Sequence, residues 1–214
     1  MLKKERYRRF VMHFTAQQPH AQTELHYNNP YQLLVAVILS AQCTDKRINQ
    51  VTPALFARFP DARALSESTP DVVFDYIRSV SYPNNKAKHL VGMAQMLVHE
   101  FNNQVPSDVK LLQKMPGVGR KTANVIASVI YDLPAMAVDT HVFRVANRIG
   151  LTKGKTPWAV EKDLVKNLPQ DIISIAHHWL ILHGRYICVA RNPKCDQCQL
   201  TSFCHYYEKN IKAK

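Results

Sequence analysis

Met115-Pro116-Gly117-Val118-Gly119-Arg120-Lys121-Thr122-Ala123 is the stretch on which the reading of this sequence turns. Two glycines flank a single apolar residue, Val118, and a proline precedes them. Glycine adopts backbone shapes closed to other residues and leaves the N–H groups around it uncovered. Directly behind, Ala123, Ile126, Ala127 and Ile130 recur at helical spacing on one face. A tight turn therefore opens a helix. Its first N–H groups and the positive end of its dipole point forward, where an anion is the natural guest. Arg120 and Lys121 add positive charge at the same place. Gly-Val-Gly by itself is also what a plain connector between two helices would use.

Working outward, the whole chain shares the basic character of this stretch. It has 214 residues and a formal net charge of +12, with 46% hydrophobic residues, enough for one large or two small cores. Self-repulsion on that scale points to a polyanionic partner. An anionic membrane is the weaker alternative, because no segment approaches the 18 or so apolar residues of a span. The basic N-terminus lacks an apolar core segment, so it is not read as a secretory signal. The expectation is a cytoplasmic, nucleoid-associated protein.

Helices with short links account for the order of the chain, and no useful period-2 run stands out. Tyr7, Phe10, Val11 and Phe14 mark an amphipathic helix over the first 14 residues. Pro30 opens a nearly apolar helix, Tyr31 to Gln42, that contains no Asp or Glu. Asp45 to Phe59 and Thr69 to Tyr76 follow. Ser81 to Lys88 reads as a loop entering a helix that runs to Phe101. After the glycine turn and its helix, Leu133-Pro134 breaks the chain. Asp139 then stands at the N-cap of a helix ended by Gly150. Pro157 to Leu168 and Asp171 to Cys188 are the last helices. His177, His178 and His183 on the latter lack a zincin-like carboxylate and read as packed or surface residues. The tail beyond Tyr207 is expected to fray.

Of the 5 cysteines, four are spaced C-x6-C-x2-C-x5-C at Cys188, Cys195, Cys198 and Cys204. An odd total with one tight cluster argues for a metal site rather than a disulfide framework. Four thiolates suit a tetrahedral zinc or a cubane iron–sulfur cluster, and the spacing alone only leans to the latter. Arg191 and Lys194 lie between the first two ligands, making a basic finger suited to phosphates. Cys43 stands apart and reads as a small packed residue.

Several of these segments resemble the endonuclease III family of DNA glycosylases. MPGVGRKTA resembles its helix-hairpin-helix signature, LSAQCTD its DNA-facing helix end, VDTHVFR its second catalytic segment, and the cysteine spacing its cluster signature. The loop around Tyr82 keeps the family's Asn and Lys-Ala, but Ser81 replaces its Gly and Tyr82-Pro83 its apolar–aromatic pair.

The resemblance implies an all-α, two-lobed helix-hairpin-helix glycosylase fold with a C-terminal iron–sulfur cluster loop. It implies a continuous helical domain over 23–132 and a cluster domain formed by 1–22 with 133–214. One [4Fe-4S] cluster would sit on Cys188, Cys195, Cys198 and Cys204. Lys121 would be the nucleophile and Asp139 its partner carboxylate across a cleft. Gly117, Val118, Gly119 and Arg120 would grip a phosphate. Gln42 would fill the gap left by an extruded nucleotide, with Tyr82 as wedge and His141, Arg144, Arg191 and Lys194 as further DNA contacts. The implied activity is excision of oxidised pyrimidines from duplex DNA with β-elimination at the abasic site, by a monomer. Two other readings stand beside it. One is an adenine-type monofunctional glycosylase, which would lack the hairpin Lys and carry a carboxylate on the first core helix. The other is a non-catalytic DNA-binding module.

Overall fold

The computed structural model describes residues 1–211, and among these every regular element is helical, with no strand. In order the helices are α1 (Lys3–Gln17), α2 (Pro30–Ser40), α3 (Asp45–Arg58), α4 (Ala62–Ser66), α5 (Pro70–Ile77), α6 (Pro83–Glu100), α7 (Val109–Leu112), α8 (Arg120–Tyr131), α9 (Thr140–Ile149), α10 (Pro157–Asn167), α11 (Ile173–Tyr186) and α12 (His205–Asn210). Among the described residues no helix is long and apolar enough to cross a membrane.

Local chemistry fixes most helix starts. Asn29 accepts from the Gln32 N–H ahead of Pro30, and Thr44, Asp61, Thr69 and Thr156 cap α3, α4, α5 and α10 in the same way. Proline occupies the first turn of α2, α5, α6 and α10, where its missing N–H removes no helical hydrogen bond. Gly150 ends α9 at φ 88°, and both its N–H and that of Leu151 return to Ala146 O.

The chain divides into two compact units. The continuous unit, Glu24–Tyr131, is built around α2, on which every residue from Tyr31 to Leu39 is buried. A helix apolar on all sides must be covered on all sides. Leu33, Leu34 and Leu39 of α2 share its core with Ile48, Leu55, Leu90, Met93 and Ile126 from α3, α6 and α8.

The second unit joins Met1–Thr23 to the chain from Asp132 onward. Its core gathers Phe10 and Phe14 of α1, Val142 and Val145 of α9, and Trp179 of α11. Phe14 stacks on Trp179 at 5.6 Å, and the indole N–H donates to Gln18 O at 2.8 Å. The aromatic face of α1 thus docks inward, as its spacing predicts.

Three sequence-based boundaries change. The segment after Ser81 is helical from Pro83 rather than a loop to Lys88, because proline at the first helical position favours helix there. The short helices α4 and α7 escape a periodicity reading, since one turn shows no period. The tail expected to fray after Tyr207 is helical to Asn210; the remainder of that expectation, from Lys212, lies outside the described residues.

Candidate active site and cluster loop

The glycine turn has the shape its sequence predicts. Gly117 sits at φ 78°, and the Val118 N–H closes the turn onto Met115 O at 3.1 Å. Val118 is buried and anchors the turn, while Gly119, Arg120 and Lys121 are exposed. Helix α6 backs this turn closely. A Cβ on Gly117 would lie 2.9 Å from His89 Cβ, and one on Gly92 would lie 3.2 Å from Pro116. Around Gly119, by contrast, no described atom would lie within 4 Å of an added Cβ. The first N–H groups of α8 lack intrahelical acceptors, so an open glycine before them leaves room for an anion. Lys121 projects from the first turn of α8, away from buried Ala123, Ile126 and Ala127.

Gln42 and Tyr82 stand in the same unit, on the turn after α2 and at the N-cap of α6. Both are exposed, and both occupy the left-handed region, at φ 56° and φ 55°. Such a backbone is uncommon for residues other than glycine and marks positions held by their surroundings. Gln42 lies beyond the last residue of α2 and is exposed.

In the second unit Asp139 caps α9. Its Oδ1 accepts from the His141 and Val142 N–H groups at 2.9 and 2.8 Å, and its Oδ2 lies 3.2 Å from His141 Nδ1. A carboxylate only accepts, so the ring nitrogen is the donor. The capping role anticipated for Asp139 is therefore present, and it holds the carboxylate in one orientation.

Arg144, one turn on, turns inward. It donates to Gly184 O at 2.9 Å, Cys188 O at 3.1 Å and Thr140 O at 3.3 Å. Its guanidinium ties α9 to the end of α11 instead of standing open on the surface, which shifts the expected DNA contact toward a structural role. Gly184 permits this close crossing: a Cβ there would meet His141 Cβ at 2.9 Å.

The four clustered cysteines line one cavity together with Ile149, Leu200 and Tyr206, and none is in a disulfide. Burial pushes the Cys198 thiol up to about 11 and raises Cys195 and Cys204 as well. A bound metal centre reverses that balance, because its positive charge deprotonates thiols outright. Among the described residues no three His, Cys, Asp or Glu side chains close on a single-ion point. Four thiols lining one cavity are the donor set that a cubane iron–sulfur cluster uses. Residues and cofactor fit.

Arg148 is the residue of this region that sequence reasoning missed. It donates to Val189 O at 2.7 Å and Ala190 O at 2.9 Å, reaches Cys188 Sγ at 3.5 Å and lies over the Tyr206 ring. Its available signal was the spacing Arg144–Arg148, two cations one turn apart on a helix with an apolar opposite face. These bonds fix the start of the loop on which Arg191 and Lys194 are exposed.

Residues 35–170 match the model of the HhH-GPD superfamily base excision DNA repair proteins, and residues 188–204 match the iron–sulfur binding domain of endonuclease III. The chain is 49% identical to endonuclease III of Rickettsia conorii over 194 residues, covering 91% of this chain and 92% of that one. It is 42% identical to endonuclease III of Escherichia coli K12 over 191 residues, covering 89% and 90%. Among solved structures it is similar to a trapped endonuclease III–DNA covalent intermediate, with TM-score 0.92, 41% identity and 98% and 99% coverage. It is also similar to a non-covalent endonuclease III–DNA complex, with TM-score 0.93, 40% identity and 99% and 100% coverage.

Proposed function

The chain belongs to the endonuclease III family of HhH-GPD base-excision repair proteins, and from that premise we propose that it excises oxidised or ring-saturated pyrimidines from duplex DNA as a monomer, with Lys121 as nucleophile. It is a base-excision repair DNA glycosylase of the bifunctional type, cutting the abasic strand after base release, and it carries an iron–sulfur cluster. The observation that carries the proposed roles is the exposed Lys121 on the first turn of α8, directly behind the open Gly119.

A base stacked in a duplex is out of reach, so the target nucleotide must be extruded at a cost of a few kcal/mol, least for a weakly stacked lesion. The Lys121 amine attacks the sugar C1′. The N–C1′ bond forms, the bond from C1′ to the base breaks, and the base leaves with the electron pair and takes up a proton. The bound amine gives up a proton and opens the sugar ring: the C1′–O4′ bond breaks, O4′ takes up a proton, and the resulting Schiff base at C1′ acidifies the C2′ proton. Its loss breaks the C3′–O bond and releases the 3′ phosphate, which is β-elimination. The amine must be neutral to attack. Asp139, oriented by the α9 cap, assists departure of the base and stabilises positive charge on the sugar.

Gly117, Val118, Gly119 and Arg120 hold a phosphate, Gln42 and Tyr82 occupy the space of the extruded nucleotide, and His141, Arg191 and Lys194 add contacts. Cys188, Cys195, Cys198 and Cys204 would hold the cluster, which would staple the basic loop and supply a redox-active iron centre.

The test uses duplexes that each carry one defined site: a ring-saturated pyrimidine, an oxidised purine, adenine opposite an oxidised purine, or an abasic site. Base release and strand scission at the pyrimidine lesion and scission at the abasic site are expected. Release of adenine alone, without scission, would move the protein to the monofunctional class. Binding without any product would leave a DNA-binding module.

A further inference from the structure

The end of α2 and the start of α6 are joined through one buried cation. Lys86 is the one lysine that is buried among the described residues, at 5% exposure. Its Nζ donates to Leu39 O at 2.7 Å and to Ala41 O at 2.6 Å. Carbonyls at a helix C-terminus have no intrahelical donor and form the negative end of the dipole, so an ammonium suits them. Burying it is still costly, and desolvation lowers its pKa. Close by, Ser81 Oγ donates to Gln42 O at 2.6 Å. These three bonds bracket the two left-handed residues, Gln42 and Tyr82, whose side chains both face solvent. Backbone of this kind persists only where its surroundings over-determine it.

We propose that Lys86 is a positioning residue, which with Ser81 locks Gln42 and Tyr82 into one preset pair that enters the base stack without further ordering. The inference rests on the reading that Gln42 and Tyr82 face DNA. Its energetic sense is preorganisation: backbone fixed before DNA arrives, so that the two side chains leave it in set directions, has less conformational freedom to lose on binding. The hairpin at Gly117–Gly119 grips phosphate independently of this junction. Loss of the clamp should therefore damage lesion discrimination and spare general affinity.

The experiment compares wild type, Lys86→Met, Ser81→Ala, Gln42→Ala and Tyr82→Ala. Binding is measured to undamaged duplex and to duplex with a single ring-saturated pyrimidine. A 2-aminopurine next to the lesion reports unstacking by its fluorescence. Lys86→Met should keep wild-type binding to undamaged duplex, yet lose the fluorescence rise and about 10- to 100-fold of its lesion preference. Ser81→Ala, at the surface and safe for folding, should move the same readouts the same way by less. Equal losses on both duplexes, or wild-type fluorescence in a folded Lys86→Met, overturn the proposal. If Lys86→Met does not fold, Ser81→Ala decides alone, and an unchanged fluorescence rise overturns it. Wild-type extrusion by both Gln42→Ala and Tyr82→Ala would instead sink the underlying reading of those two residues.

Discussion

Replacing each hairpin glycine by alanine separates what the fold needs from what the ligand needs. Gly117→Ala puts a side chain on backbone at φ 78°, which costs about 1–2 kcal/mol. It also drives the new Cβ to 2.9 Å from His89 Cβ, which belongs to a packed helix and yields little. Overpacking of this kind costs about 1–3 kcal/mol. Together these give roughly 2–5 kcal/mol and a Tm lower by roughly 5–20 °C for a chain of this size. Gly119→Ala has neither problem, having no positive φ and no described atom within 4 Å of the added Cβ. Its stability should be unchanged or raised by up to about 1 kcal/mol. Its DNA affinity should nevertheless fall. A methyl there keeps the phosphate from the helix N–H groups, at about 1.5–3 kcal/mol for a charge-assisted hydrogen bond. That is about ten- to hundredfold in Kd. Thermal melts followed by circular dichroism and fluorescence anisotropy on undamaged duplex at low and physiological salt measure both quantities. A Gly119→Ala protein that melts and binds like wild type would refute the hairpin grip.

Other consequences can be checked separately. The C-x6-C-x2-C-x5-C loop should give brown protein with about four irons per chain; Cys195→Ser should lose iron and solubility, while Cys43→Ser keeps the colour. His178 is buried and its pKa is pressed down to about 4, so the folded chain keeps it neutral where the unfolded chain, near 6.5, takes up a proton. Its contribution is thus intact above about pH 6.5 and is lost as pH falls toward 4, by about 3 kcal/mol at most; an NMR titration of the ring should show no protonation above about pH 5. Asp139→Asn keeps one capping oxygen but loses the charge, so base release should slow by at least about tenfold while scission at a pre-formed abasic site is less affected, as single-turnover gels would show.

What the sequence disclosed follows from how local each signal is. The cap at Asp139, the proline start at Pro30, the helix start at Thr69 and the Gly150 stop are short-range chemistry, and each appears in the structure where its residue stands. The all-apolar run before Gln42 forms the buried helix of the first unit for the same reason. The hairpin glycine needs φ > 0, and one residue type betrays that need. Long-range polar partners left no such trace. Arg144 read as a DNA contact within a catalytic segment, but two of its acceptors lie 40 and 44 positions away. Lys86 read as part of a loop entering a helix, yet its ammonium is buried against carbonyls 45 and 47 positions earlier. A cation that turns inward has the same letter as one that faces solvent.

The proposed reaction turns on a bond between the Lys121 amine and the sugar C1′. Borohydride reduces a Schiff base to a stable amine, so wild-type protein incubated with a duplex carrying an oxidised pyrimidine should yield a covalent adduct. Peptide mapping by mass spectrometry should place the remnant of the deoxyribose on Lys121. Lys121→Gln should give no adduct and no base release, while binding the same duplex nearly as tightly, because the proposed hairpin grip uses backbone N–H groups. An adduct on another residue, or base release at the wild-type rate by Lys121→Gln, would contradict it.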